Sequence, residues 1–212
     1  MASVNLNTIR ATIEARLTAE LTSLTTTYTQ TGTVVTINAT AHGYYVGQSL
    51  ALDYTSGGGV DGTFTVVTTA TNSFTVTAAG ALTTSGNVTV VSSLGSTLPV
   101  VFHNQPYIPT PNSSFVQCLV SFGNNNFLTM GGTTGSSNSV IGVIVMNVFT
   151  PKGVGPGANL TIGKRIRDLY NRQVVSGVHF DPPTGPEVVA SPAPEGYFQT
   201  QVRLTFETFE DL

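Results

Sequence analysis

Val140-Ile-Gly-Val-Ile-Val-Met-Asn-Val-Phe-Thr150, continued by Pro151-Lys-Gly-Val-Gly-Pro-Gly-Ala-Asn159 and Leu160-Thr-Ile-Gly-Lys-Arg-Ile-Arg-Asp-Leu-Tyr170, decides how this chain folds. The first part is apolar at odd and even positions alike. A strand with two apolar faces needs cover on both, so it belongs at the centre of a domain. The second part is a glycine-rich turn. In the third, Ile162, Ile166 and Leu169 recur at helical spacing, while Lys164, Arg165, Arg167 and, beyond them, Arg172 face elsewhere. Asn159 reads as the helix N-cap, Val174 as a further member of the buried stripe and Gly177 as a left-handed stop.

The flanks supply partners for this strand and helix. Pro99–His103 reads as a short strand and 106–111 as a proline-punctuated link. Phe115–Phe122 alternates, with Val116, Cys118, Val120 and Phe122 on one face. Asn124–Asn126 is read as a turn into a strand at Phe127–Met130, and 131–138 as a flexible loop. After the helix, Val178–Phe180 is a short strand, and Asp181–Pro186 and Ser191–Gly196 are proline-stiffened loops. Tyr197–Phe209 alternates again, with Phe198, Thr200, Val202, Leu204 and Phe206 facing in and Gln199, Gln201, Arg203, Thr205 and Glu207 facing out.

Near the N-terminus, residues 5–22 carry Leu6, Ile9, Ile13, Leu17 and Leu21 at spacings of three and four, an apolar helical stripe with Arg10, Glu14 and Arg16 off it. Asn5 or Asn7 can cap it. At about residue 23 the composition changes. From Leu24 to Thr97 there is no Lys, Arg or Pro, Asp53 and Asp61 are the only acids, and Thr dominates. Short β-branched runs follow one another between turn signals: 33–40, 49–54, 62–68, 73–77 and 86–91. Five or six strands at this spacing predict a β-sandwich or small barrel. The expected fold is therefore α+β: a small mixed or antiparallel sheet packed by two helices, residues 1–22 with 97–212, and an inserted all-β domain at 23–96. Insertion into a loop is tolerated because closure entropy grows slowly with length.

Charged residues are 9% of the 212, against about 25% in an average soluble domain. A surface so low in charge and rich in Thr suits a subunit of an assembly. The net charge of −3 gives no general attraction to nucleic acid or acidic membranes. There is no apolar run of transmembrane length and no signal-like N-terminus. One cysteine, Cys118, precludes an intrachain disulfide. Glycosylation sequons at Asn38, Asn87, Asn112 and Asn159 read as by-products of composition.

Catalytic chemistry finds little support. Gly153-Val-Gly-Pro-Gly-Ala158 loosely matches a dinucleotide fingerprint, but Pro156 removes a backbone donor where a phosphate needs one. Gly157–Lys164 resembles a Walker loop with the spacing off by one and Arg165 where Ser or Thr is required. His42, His103 and His179 lack metal-ligand spacing, Cys118 reads as core, and no nucleophile elbow or paired carboxylates are present. No enzyme, cofactor or metal is expected.

Pro99-Val-Val-Phe-His-Asn-Gln-Pro-Tyr-Ile-Pro109, Phe127-Leu-Thr-Met-Gly-Gly132, Val143-Ile-Val-Met-Asn-Val-Phe-Thr-Pro-Lys-Gly-Val-Gly-Pro156, Ile166-Arg-Asp-Leu-Tyr-Asn-Arg172 and Gly196-Tyr-Phe-Gln-Thr-Gln-Val-Arg-Leu-Thr-Phe-Glu207 together resemble the tail terminator (tail-completion) proteins of tailed double-stranded DNA bacteriophages. The inserted segment, with Thr40-Ala-His-Gly-Tyr-Tyr-Val-Gly-Gln-Ser-Leu50 and Asp61-Gly-Thr-Phe-Thr-Val66, resembles Ig-like β-modules of phage structural proteins. The resemblance implies a virion protein, a ring that is typically hexameric. Such a ring caps the tail tube, meets the head–tail connector, and lets DNA pass without sequence-specific binding. From exposure and charge, loop 131–138 and turn 152–158 with Lys152 are candidates for neighbour or tube contact. Lys164, Arg165 and Arg167, with Arg172 nearby, are candidates for pairing with Glu187, Glu195 or Glu207 of the next subunit. The competing readings are another neck or head-completion protein, and a glycan-binding module mounted on the core.

Overall fold

The computed structural model describes residues 5–92, 97–128, 137–189 and 193–211. In chain order its elements are α1 (Leu6–Leu21), β1 (Leu24–Asn38), β2 (Ser49–Tyr54), β3 (Gly62–Ala70), β4 (Ser73–Val91), β5 (Val100–Phe102), β6 (Phe115–Phe127), β7 (Ser137–Pro151), α2 (Gly157–Tyr170), β8 (Val174–Val175), β9 (Val178–Phe180), β10 (Thr184–Val188) and β11 (Tyr197–Asp211). The fold class is α+β. The chain divides into two compact units, Met1–Glu14 with Pro99–Leu212, and Ala15–Leu98. The division falls inside α1 rather than at residue 22, because Ala19 packs against the core of the second unit.

The first unit is built on a seven-stranded sheet of order β5-β6-β7-β11-β9-β8, with β10 also paired to β11. Every pairing is antiparallel except β5 with β6. β7 lies inside the sheet and runs against β11 along its whole length, from Pro151↔Tyr197 to Ser137↔Asp211. Its even-numbered residues make one face. Ile144, Met146 and Val148 are buried there beside Val116 and Cys118 of β6 and Val202, Leu204 and Phe206 of β11. Gly142 sits in this row because a Cβ would lie 2.2 Å from the Phe206 ring. Its absence lets Phe206 cross the strand and meet Phe122 edge-on at 5.7 Å.

α2 covers that even face with Ile162, Ile166 and Leu169, all buried. Asn159 anchors it. The side chain is fully buried, donates from Nδ2 to the Val148 carbonyl at 3.0 Å and to Thr200 Oγ1 at 3.3 Å, and accepts from Thr150 Oγ1. Asn159 is therefore not the N-cap. Pro156 holds that position without a side-chain hydrogen bond, and the helix begins before the polar residue that sequence reasoning took for its start. Tyr170 closes the other end by donating to the Ile13 carbonyl of α1 at 2.7 Å.

Several local expectations change. β6 does not turn at Asn124–Asn126; it continues to Phe127 through a register shift between Phe122 and Asn125, which absorbs the polar residues as a bulge. Within the proline-rich stretch after β9, Thr184–Val188 is strand β10, with Pro186 on the sheet edge where a missing donor is tolerated. Val174 is 59% exposed on β8, and Gly177 turns the β8–β9 hairpin; α2 has already ended at Tyr170. In α1, Leu6 is exposed, whereas Arg16 is only 2% exposed, with its guanidinium 4.0 Å above the Tyr45 ring. The expected strand residues Thr129–Met130 and most of the expected 131–138 loop lie outside the described residues.

The second unit is a single four-stranded sheet of order β1-β4-β2-β3, in which β4 also pairs β3. β2, β3 and β4 thus close a cycle of pairings around one interior of Tyr28, Val35, Ile37, Leu50, Leu52, Val66, Phe74, Val76, Val88 and Val90. This is a coiled, barrel-like sheet, nearer the small barrel of the two expected alternatives than the sandwich of two packed sheets. The run expected at 33–40 is the second half of one long strand, which starts at Leu24, ends at Asn38 and bends at Gly32, where φ is 60° and the register shifts. Likewise 73–77 and 86–91 are the two ends of β4, which pairs β3 at one end and β2 at the other.

Candidate functional site

The odd-numbered face of β7 has a different fate from the even one. Near its C-terminal end Phe149 stacks on Phe115 at 4.6 Å, and Tyr197 stands edge-on to Phe115 at 5.3 Å. Tyr107 tilts onto the same ring, and Tyr197 donates to the Thr110 carbonyl at 3.1 Å, so the proline-punctuated link folds back over this corner. Toward the other end, Val145, Val143 and Ile141 are only half-buried. Leu119 lies opposite Val145 on β6, Ser121 opposite Val143, and Arg203, Thr205 and Glu207 flank the row on β11. The result is an apolar stripe open along the middle of a sheet.

Polar side chains frame the stripe. At one end Arg203 Nη2 donates to Gln201 Oε1 at 3.4 Å, Gln201 Nε2 to Asn147 Oδ1 at 3.0 Å, and Asn147 Nδ2 to Gln117 Oε1 at 3.2 Å. This chain of amides crosses three strands and fixes their side chains in one orientation. At the other end Ser139 Oγ donates to Glu207 Oε1 at 2.5 Å, and Thr205 donates to the Asp181 carboxylate. An apolar centre with a hydrogen-bonded polar rim is the layout of a protein–protein contact surface.

The charged residues singled out from sequence occupy other surfaces. Lys164, Arg165 and Arg167 project from the exposed side of α2, Arg172 sits at φ 53° just beyond it, and Lys152 lies in the turn before it. Lys164 pairs with Asp168 at 2.5 Å, one helical turn away. Glu187 is exposed on β10, Glu195 is exposed in the turn before β11, and Glu207 belongs to the open sheet face. Among the described residues none of the five cations forms an ion pair with these three acids. The turn 152–158 leaves a shallow groove of about 240 Å³ between Pro151, Lys152, Pro156 and Phe198.

Of the groups weighed for catalysis, Cys118, His42 and His179 make packing or hydrogen-bond contacts. Cys118 is buried, and burial, with Glu14 adding to it, pushes its thiol up to about 12, where it stays protonated and unreactive. His42 contacts the Ala70 and Ser73 carbonyls through Nε2, His103 is exposed, and His179 stands edge-on to Phe209 at 5.4 Å. Among the described residues no group of three His, Cys, Asp or Glu side chains could hold a metal ion, and no helix is long and apolar enough to cross a membrane. The Asn159 sequon is fully buried, so no glycan can be attached there in the folded protein.

No protein-family model matches this chain, and no curated protein does. A solved structure of a protein without a functional name aligns with 54% of this chain and 79% of its own at 15% identity and a TM-score of 0.36. A likeness at that level carries no argument about fold or function.

The open stripe is not among the features read from the sequence. The signal was present, since Ile141, Val143 and Val145 alternate with the even row, but a strand apolar on both faces reads as one covered on both.

Proposed function

We propose that the protein is a structural subunit of a phage virion, a tail terminator whose copies close into a ring that caps the tail tube and faces the head–tail connector. The observation that carries the reading is the half-buried stripe Ile141, Val143 and Val145. A strand interior to a sheet that leaves apolar side chains partly wet gains roughly 25 cal/mol for each Å² that a second copy covers. The motifs quoted above, from Pro99 to Glu207, support it through their resemblance to that family, and the sparse charge suits a surface that spends its life in an assembly. In a ring the contact is heterologous, one surface of a subunit meeting a different surface of the next. The exposed Arg165 and Arg167 of α2 and the exposed acids Glu187 and Glu195 give two surfaces of opposite sign for that purpose. The protein has no catalytic task in this reading, and DNA passes the ring without base-specific contact.

Native mass measurement with electron microscopy of the purified protein tests it. Rings, expected as hexamers, with binding to tail tubes are the predicted result. A strict monomer at high concentration that also ignores tail tubes would sink the proposal.

A further inference from the structure

We propose that the unit Ala15–Leu98 carries a binding pocket for a neutral saccharide, set between the β2–β3 loop and the middle of β4. The pocket is a cavity of about 400 Å³, at the small end of the range for ligand sites and roomy enough for one or two sugar rings. The inference is independent of the ring reading, which concerns the other unit.

The rim is preformed. Tyr28 Oη donates to the Ser56 carbonyl at 3.2 Å and accepts from the Gly59 amide at 2.9 Å, while the Asn87 amide donates to Ser56 Oγ at 2.8 Å. Gly57 holds φ at 88°, and a Cβ there would lie 2.3 Å from the Ser85 carbonyl oxygen, so the loop is seated directly on β4. A loop tied down at this many points loses little freedom when a ligand arrives.

The lining has two chemistries. Tyr54 and Phe64 stand edge to face at 6.3 Å, and Val60 and Leu82 are 78% and 40% exposed at the mouth. These form an apolar wall. The polar groups are hydrogen-bond acceptors. Asp61 Oδ1 is fixed by the Tyr54 amide at 2.7 Å, leaving Oδ2 without a protein partner among the described residues. Gln30 is 4% exposed, and its Nε2 donates to the Gly32 and Gly80 carbonyls at 2.9 and 2.8 Å. That arrangement leaves Gln30 Oε1 with no donor from the described protein. Tyr54 Oη is likewise unpartnered, and burial, then Tyr28 and Asp61, push its pKa up to about 12, so it stays a neutral phenol able to donate or accept.

A ligand for this site must donate several hydrogen bonds and present an apolar face. No Lys or Arg occurs between Leu24 and Thr97, so phosphates, nucleotides and acidic peptides meet no countercharge. A pyranose has what is needed: hydroxyl donors around its edge and a C–H face for aromatic and aliphatic walls.

Saturation-transfer NMR on the full chain, with free hexoses and N-acetylhexosamines as probes, reads the pocket directly. Tyrosine emission gives a second signal, because the chain has no Trp. The expected result is saturable binding with a millimolar Kd. Ala81→Trp and Ala79→Trp, both at exposed positions on the rim, should fill the cavity and abolish binding while leaving the melting curve native. Asp61→Asn keeps the Oδ1 acceptor for the Tyr54 amide and should weaken binding about tenfold. Absence of saturable transfer from every sugar would overturn the proposal. So would sugar binding that survives a correctly folded Trp variant, or binding of butylammonium in preference to the sugars.

Discussion

Asn159 illustrates how one side chain can serve two grammars. Its type and position fit an N-cap, yet a buried amide that meets Thr150, Thr200 and the Val148 carbonyl is worth more to the fold than a cap exposed to water. Removing it deprives the buried Thr150 and Thr200 hydroxyls of this partner, which costs about 1–3 kcal/mol for each fully orphaned group. Asn159→Ala is therefore expected to lower unfolding stability by about 3 kcal/mol in urea titration, whereas Thr161→Ala, on the exposed side of the same helix, should change it little. Cys118 gives a pH test. Burial raises its folded pKa from 9.0 to about 12, so the fold favours the neutral thiol. Its contribution is whole below the unfolded pKa and is lost as pH rises through the window from 9.0 to about 12. The urea midpoint should fall across that window, and less so in Cys118→Val; buried Tyr44 and the partly buried Tyr54 and Tyr107, whose pKa values burial also raises, contribute to the remainder. Alkylation by a maleimide at neutral pH should be slow until the protein is unfolded.

At the scale of elements, β7 and α2 were legible because their signals are redundant. Apolar runs, glycine punctuation and a helical stripe all agree on one strand and one helix. What was not legible is the state of the second face of β7. Alternation reports which residues share a face, but cover depends on whether some other segment reaches it, and among the described residues Tyr107 and Ala193 do so at the Phe149 end. The two faces therefore predict opposite mutational outcomes. Val143→Glu, on the open row, should leave the monomer folded with a nearly unchanged melting temperature and break self-association, read by native mass. Gly142→Val, on the covered row, should unfold the unit, since a Cβ there already overlaps Phe206 and lies 2.7 Å from the Ser121 carbonyl oxygen. If Val143→Glu unfolds the protein instead, the stripe is core and not a contact surface. α2 carries its own constraint. Gly163 lets β10 close on the helix, because a Cβ would sit 2.7 Å from Pro186 Cβ. Gly163→Val should destabilise by about 1–3 kcal/mol through overpacking, measured by thermal melting. A glycine in mid-helix thus marked a close approach that its low helix propensity could not reveal.

For the molecule as a whole, the composition break at residue 23 located the inserted β-rich segment, and the strand count failed for a definable reason. Short runs bounded by Gly and Asn look like separate strands, but Gly32 bends β1 without ending it, and β4 passes from one partner to another through the Ala78–Leu82 stretch, which has no proline to stop it. The insertion begins and ends at one place. The Leu98 amide donates to the Leu21 carbonyl at 2.9 Å, and the Ser23 amide to Thr97 Oγ1 at 3.3 Å. Replacing 24–97 by a short Gly-Ser link therefore needs no rearrangement at the junction, and loop closure over so short a span costs little. The deletion is not neutral, because the last turns of α1 lose real partners: Arg16 loses the Tyr45 ring, Glu20 loses the amide of Gln48, and Ala19 loses the β core. Fraying should be confined to Ala15–Leu21, since Ile9 and Ile13 are buried in the first unit and the Ile13 carbonyl is held by Tyr170. The expected product is soluble, melts cooperatively at a lower temperature than the full chain, and still forms the same oligomer by native mass. An insoluble product would show that the first unit depends on the second for its fold, and a soluble monomer would move the self-association surface from β7 to the inserted unit.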